Sequence, residues 1–219
     1  MDLILREFSV LAIGAHPDDV EFGCFGALAV SAETSIAILS RGERGGDPVV
    51  RMGEAQASAK LIGANLITLD YPDTRLLVPD LVSSLEGIIA STKPSVVLTM
   101  SEDDLHQDHR AVALATQIAL RSFAGPIFAY GTPSSLEKFS PNTILGLSTS
   151  EMNTKLEAIR IHQSQATRQY MQTPYVESIA KYWAAMSRTG SEYGEAFQLV
   201  KWYSSARGVI PRSPGEILA

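Results

Sequence analysis

The chain has 219 residues, 45% of them hydrophobic and 19% charged, with a formal net charge of −6. This is an ordinary globular composition with enough apolar material for one α/β domain, and it argues against a disordered chain and against a general nucleic-acid-binding surface. The single cysteine, Cys24, excludes an intramolecular disulfide framework and a cysteine-rich zinc site.

Residues 8–14 are a short apolar run ended by Gly14-Ala15 and read as a buried strand. Residues 24–32, small and apolar, read as a helix packed on a sheet, and 34–40 as a second strand. Arg41 to Pro48 is a glycine-rich loop. A helix is expected over 49–63 with Gly63 as its stop, and a third strand over 65–70. Pro79 suits the first turn of an amphipathic helix running to Thr92. A fourth strand (95–100), a helix (108–122) and a fifth strand (126–130) follow.

Strands alternating with helices predict a Rossmann-like, doubly wound, mostly parallel sheet of order 3-2-1-4-5. After residue 131 the alternation is broken by Gly131, Pro133, Pro141 and Asn142, with helices expected over 151–165 and 176–188. Residues 131–219 are therefore expected to form a helical and irregular cap on a 1–130 core, within one domain of 1–219. The Pro- and Gly-containing stretch 207–219 is expected to be poorly ordered. The first residues mix Asp2, Arg6 and Glu7 with a short apolar stretch, unlike a secretory leader. No run of about 18 apolar residues is present to span a membrane, so a cytoplasmic protein is the expectation.

Two clusters carry the chemistry. His16-Pro17-Asp18-Asp19 follows the first strand, and His106-Gln107-Asp108-His109 follows the fourth. Both fall at the carboxyl ends of strands flanking the point where the strand order reverses, which is where open α/β sheets bind ligands. Imidazole and carboxylate together suit a divalent ion such as zinc. Proline disfavours a helical conformation at the preceding residue, so His16 should be extended at the strand end. One of two adjacent aspartates can bind an ion while the other acts as a base; an Asp helix cap is the bland alternative. His106 and His109, three apart near a helix start, can share a face. The remaining histidine, His162, reads as packed against the cap.

The string Ala15-His16-Pro17-Asp18-Asp19, with Glu21 and Gly23-Cys24-Phe25-Gly26, resembles the PIG-L (LmbE-like) family of zinc-dependent N-deacetylases. His106-Gln107-Asp108-His109 is similar to that family's His-x-Asp-His motif. Arg41-Gly42-Glu43 with Gly45, Arg51 with Glu54, and Ser164-Gln165 after His162 are weaker matches. The resemblance implies His16, Asp19 and His109 as zinc ligands, Asp18 as general base and His106 as stabiliser of the oxyanion. It also implies Arg51 as a substrate-site residue; Asp108 is a candidate for fixing a histidine tautomer. The implied reaction is removal of acetyl from an N-acetylated amino sugar. Iron or cobalt would suit the same donors.

Two other readings compete with this. A carbohydrate-binding protein could keep the site without turnover. A Rossmann-type nucleotide enzyme is disfavoured because the first loop has no Gly-x-Gly-x-x-Gly cradle and puts carboxylates where a phosphate needs donors. Arg44 could reach an anionic group, although a solvated loop arginine is the commoner case. Trp183, Trp202, Tyr130 and Tyr203 could stack on a sugar, although packing is the favoured role. A homo-oligomer is compatible with the apolar cap, and no nucleic-acid partner is expected.

Overall fold

The apolar runs become the strands they predict. In the computed structural model, which describes residues 2–135 and 137–203, β1 (Ser9–Gly14), β4 (Val96–Met100) and β5 (Ile127–Tyr130) are buried almost throughout. Near-continuous burial is characteristic of parallel strands covered on both faces. β2 (Glu33–Ser40) is buried toward its carboxyl end, and β3 (Asn65–Tyr71) alternates as a sheet edge.

The sheet has seven strands in the order β3-β2-β1-β4-β5-β7-β6. The first five are parallel and follow the expected 3-2-1-4-5 order. Beyond β5 lie two antiparallel strands, β6 (Thr143–Leu147) and β7 (Tyr193–Lys201). The segment expected only to cap the core therefore also extends its sheet.

The helices are α1 (Asp2–Glu7), α2 (Asp19–Leu28), α3 (Pro48–Leu61), α4 (Val78–Thr92), α5 (Gln107–Ala119), α6 (Thr149–Ile161) and α7 (Thr173–Ser187). Short 3₁₀ turns at Gln163–Gln165 and Gln169–Met171 link α6 to α7. α2 and α3 pack on α6, and α4 packs on α5. Among the described residues no helix is long and apolar enough to cross a membrane. The stretch 207–219 lies outside the described residues.

α2 starts at Asp19, five residues before the expected boundary, and is broken at Cys24 (φ −147°, ψ 17°). An unbroken helix would pair the Phe22 carbonyl with the Gly26 amide. Here the Phe22 carbonyl accepts from Lys155 Nζ at 2.6 Å. The Gly26 and Ala27 amides donate instead to the two carboxylate oxygens of Glu195 in β7, at 2.9 and 2.7 Å. Lys155 and Glu195 also pair with each other, both almost fully buried. The break thus leaves these backbone groups satisfied, as buried polar groups must be.

The glycines of α2 are explained by what packs on them. A Cβ at Gly23 would lie 2.1 Å from Cδ2 of Tyr130, and one at Gly26 would lie 2.5 Å from a methyl of Leu147. Tyr130 is fully buried, and its hydroxyl donates to the Ile13 carbonyl at 2.7 Å. It is a core residue that ties β5 to the end of β1. Trp183 packs edge-on against Phe139 and Tyr182, whereas Trp202 and Tyr203 are exposed.

Candidate active site

β1 and β4 are neighbours, paired from Val10↔Val96 to Ala12↔Leu98. The chain leaves β1 for β2 on one side and later returns to β4 on the other, so their carboxyl-terminal loops diverge and open a crevice. Both His/Asp clusters meet in it. His16, Asp19 and His109 are all buried, and their ligand atoms lie within 4.8 Å of one another. His16 Nδ1 is 3.4 Å from Asp19 Oδ2, His109 Nε2 is 3.3 Å from Asp19 Oδ1, and the two ring nitrogens are 3.3 Å apart. Donor bonds of about 2.0–2.2 Å at tetrahedral angles put ligand atoms about 3.3–3.6 Å apart. The three residues therefore fit a zinc-sized divalent ion.

The outer nitrogens of both imidazoles face carboxylates. His16 Nε2 lies 3.2 Å from Asp108 Oδ2 and 3.1 Å from Asp73 Oδ1. His109 Nδ1 lies 3.0 Å from Asp104 Oδ2. A proton held on each outer nitrogen turns the inner lone pairs toward Asp19, the arrangement that orients metal-binding histidines. Asp108 is further fixed by the amides of Thr74 (2.6 Å) and Leu76 (3.3 Å). Asp104 accepts from Thr132 Oγ1 and Ser134 Oγ, both at 2.6 Å, and from the His106 amide at 2.8 Å.

The electrostatics also call for a cation. Burial opposes protonation of His16, yet its hydrogen bonds to Asp108, Asp19 and Asp73 carry its pKa well above 6.5. Burial opposes it at His109 too, but the charge of Asp19 and the bond to Asp104 raise its pKa to about 9. Without a metal, protons supply the positive charge that these carboxylates demand. A divalent ion would displace them.

Asp18, beside Asp19, is held at φ 111°, a left-handed conformation that few residues other than glycine adopt. Its Oδ2 accepts from Arg51 Nη2 at 3.1 Å. Burial and the charge of Asp19 raise its pKa to about 6, against the pull of Arg51.

His106 is the N-cap of α5, and its Nδ1 accepts from the Asp108 amide at 3.2 Å. The neutral ring therefore carries its proton on Nε2. Its ring stacks on His109 with 4.6 Å between centroids. Burial and the charges of His109 and His16 lower its pKa below 6.5, which favours the neutral ring with its Nε2–H as a donor.

Arg51 lines the same cavity, but its donors are largely committed. Nη1 donates to the Gly42 carbonyl at 2.7 Å and Nη2 to the Pro17 carbonyl at 2.6 Å as well as to Asp18. It straps the first and second strand-end loops together. Gly42 (φ 64°) must be glycine, because a Cβ there would lie 2.1 Å from Arg51 Nη1.

His162, expected against the cap, is fully buried with Nε2 3.3 Å from Glu21 Oε1 and Nδ1 3.9 Å from Glu54 Oε2. Glu54 in turn accepts from the amide and hydroxyl of Ser164. Sequence reasoning missed Asp73, Asp104 and Arg168, all of which surround the site, and Gln165, quoted in a weaker motif match, lines it too. Only Asp104, two residues before His106 in an acidic run, left a readable signal.

The cavity above these groups has a volume of about 470 Å³. A family model described as "PIG-L: GlcNAc-PI de-N-acetylase" matches residues 11–120. The chain is 37% identical over 168 residues to "Uncharacterized deacetylase YaiS" of Escherichia coli K12, covering 71% of this chain and 90% of that protein. The structure resembles N,N'-diacetylchitobiose deacetylase from Pyrococcus horikoshii, with a TM-score of 0.72 and 25% identity over 87% of this chain and 83% of the other. It resembles equally GalB, the 4-carboxy-2-hydroxymuconate hydratase from Pseudomonas putida KT2440, with a TM-score of 0.76 and 22% identity over 92% and 99% of the two chains. The second likeness is one of fold alone, and a shared fold does not select a chemistry.

Proposed function

Since the chain belongs to the PIG-L family of de-N-acetylases, we propose that it is a metal-dependent N-deacetylase releasing acetate from an N-acetylated amino sugar or its conjugate. The observation that carries this reading is the convergence of His16 Nδ1, His109 Nε2 and Asp19 beside a second buried aspartate. His16, Asp19 and His109 would hold the ion, zinc being the best fit to two imidazoles and one carboxylate, with iron or cobalt as alternatives. When bound, the ion supplies Lewis acidity toward the amide carbonyl and toward water.

The remaining steps belong to the protein. Asp18 takes a proton from the attacking water as the new C–O bond forms. Arg51 engages one of its oxygens and leaves the other for this task. His106 Nε2–H donates to the carbonyl oxygen as negative charge gathers there, an interaction usually large among catalytic terms. Asp108 and Asp104 hold the two ligand imidazoles in the required tautomers. The C–N bond then breaks with transfer of the proton from Asp18 to the departing amine, giving acetate and a free amino sugar.

Acetate release from a panel of N-acetylated amino sugars tests this directly. Chelator should abolish the release and zinc should restore it. Release indifferent to chelator, or protein with no affinity for zinc, would refute the reading. Sugar binding without acetate release under saturating zinc would favour a silent binding protein that keeps the site.

A further inference from the structure

We propose that the mouth of the cavity is an anion subsite formed by Arg44 and Arg168, and that the substrate is an N-acylated amine bearing a carboxylate or phosphate remote from its amide. This rests on the N-deacetylase reading and adds to it the class of the substrate's far end. Arg44 lies in the loop after β2 and Arg168 between the two 3₁₀ turns, yet both line the wall of the same cavity.

The two segments are joined, since Gln165 Nε2 donates to the Gly45 carbonyl at 3.2 Å. Arg168 Nη2 lies 3.4 Å from where a Cβ of Gly45 would stand, so the guanidinium is laid against the loop that carries Arg44. Its carbon also sits 5.9 Å from the centroid of the Tyr170 ring.

Both side chains are solvent-exposed, and among the described residues neither guanidinium lies in an ion pair. Neighbouring cations are committed. Arg41 pairs with Asp70 at 2.8 Å, and Arg51 is spent on Asp18 and two carbonyls. The nearby carboxylates are turned onto backbone. Glu43 accepts from the Asp73 amide, Asp73 from the Arg44 amide, and Asp47 from the amides of Val49 and Val50. The loop's carboxylates are thus engaged by backbone amides, and none of them pairs with Arg44 or Arg168 among the described residues.

At the floor, Asp18, Asp19 and Asp73 are gathered around the metal-ligand set, where they offset the charge of the protonated imidazoles or of an ion held there, so the unmatched positive charge lies at the rim. A chain of net charge −6 repels anions in general, so a local guanidinium pair is a selective attraction. Such a polarised cavity orients its ligand, with the uncharged acyl amide toward the floor and the oxyanion at the rim. Guanidinium groups match carboxylate and phosphate oxygens in geometry as well as charge.

The test uses three compounds with the same sugar: N-acetylglucosamine 1-phosphate, the carboxymethyl glycoside and the neutral methyl glycoside. Dissociation constants are measured by calorimetry in phosphate-free buffer at low and high salt for the wild type and for R44Q/R168Q, with acetate release followed in parallel. At least one anionic compound should bind about tenfold or more tightly than the neutral one, and the two arms rank phosphate against carboxylate. This preference should shrink with salt and collapse in R44Q/R168Q.

Equal affinities in the wild type, or no measurable binding of either anionic compound, would overturn the subsite. So would a preference that survives in R44Q/R168Q, which would place the oxyanion on the ion at the floor. Arginine-dependent binding with no acetate released would refute the deacetylase reading and leave the subsite standing. Equal turnover and affinity for all three compounds would do the reverse.

Discussion

Replacing Asp104 by asparagine preserves the side chain's shape and removes one charge and one acceptor from beneath His109. The carboxylate now serves four donors: His109 Nδ1 and Thr132 Oγ1 on one oxygen, Ser134 Oγ and the His106 amide on the other. An asparagine carbonyl facing His109 points its NH₂ at the His106 N–H, a donor against a donor. The Ser134 hydroxyl can rotate away, but the backbone amide cannot. With the amide flipped, the NH₂ faces His109 Nδ1 and forces the proton onto Nε2, the nitrogen needed for the ion. Both orientations weaken metal binding.

Loss of such a partner costs roughly 10–100-fold in metal affinity, or about 1.4–2.7 kcal/mol. A buried donor left unpaired costs about 1–3 kcal/mol, which lowers the Tm of a domain this size by roughly 2–4 °C per kcal/mol. Competition with a chromophoric zinc chelator reads the affinity, and a thermal melt of the metal-free protein reads the fold. An Asp104→Asn protein that binds zinc within about twofold of wild type would refute the tautomer argument.

Other perturbations separate the remaining roles. Asp18→Asn should lower acetate release by roughly 10²–10⁴-fold while zinc content stays stoichiometric, since asparagine tolerates the positive φ and only the base is lost; zinc lost with the activity would reassign Asp18 to the ion. Gly23→Ala should destabilise by about 1–3 kcal/mol or more because its methyl would enter the Tyr130 ring. Gly53→Ala, in α3 with nothing near its Cβ position, should stabilise by roughly 0.5–1 kcal/mol. A Gly23→Ala protein that melts no lower than wild type would contradict the packing assigned to α2, and a Gly53→Ala protein that melts no higher would contradict the open setting assigned to that face of α3.

Burial lowers the pKa of His162, but the charge of Glu21 raises it above 6.5 on balance. Its contribution to stability is therefore complete below pH 6.5 and is lost as pH rises through the folded value. The Tm advantage of wild type over His162→Gln should shrink as the pH is raised above 6.5. A constant gap would mean that His162 is neutral in the fold.

The five parallel strands were legible because each is a short apolar run that the sheet buries on both faces. β7 was not, because Glu195 interrupts its buried stretch, and the reason that carboxylate is tolerated lies in α2, more than 160 residues earlier. The helix start at Asp19 was hidden by Gly23 and Gly26, which read locally as weak helix formers but serve the close approach of Tyr130 and Leu147. At the site, motif spacing singled out the residues that converge. Asp73 and Arg168 could not be found this way, since each reaches the cavity only through tertiary contacts of an unremarkable loop. Arg51 lines the cavity, but how its donors are divided is a property of the folded loops and not of its place in the sequence.

The bond between Glu195 and the broken helix sets a timetable. The ribosome makes Asp19 176 residues before Glu195 (195 − 19), yet the helix that begins at Asp19 has two amides that Glu195 completes. A nascent chain can have emerged past every one of its proposed metal ligands and still lack the carboxylate that closes their supporting helix. Maturation of the site is in this way postponed until the last described strand has been synthesised and has docked against β5.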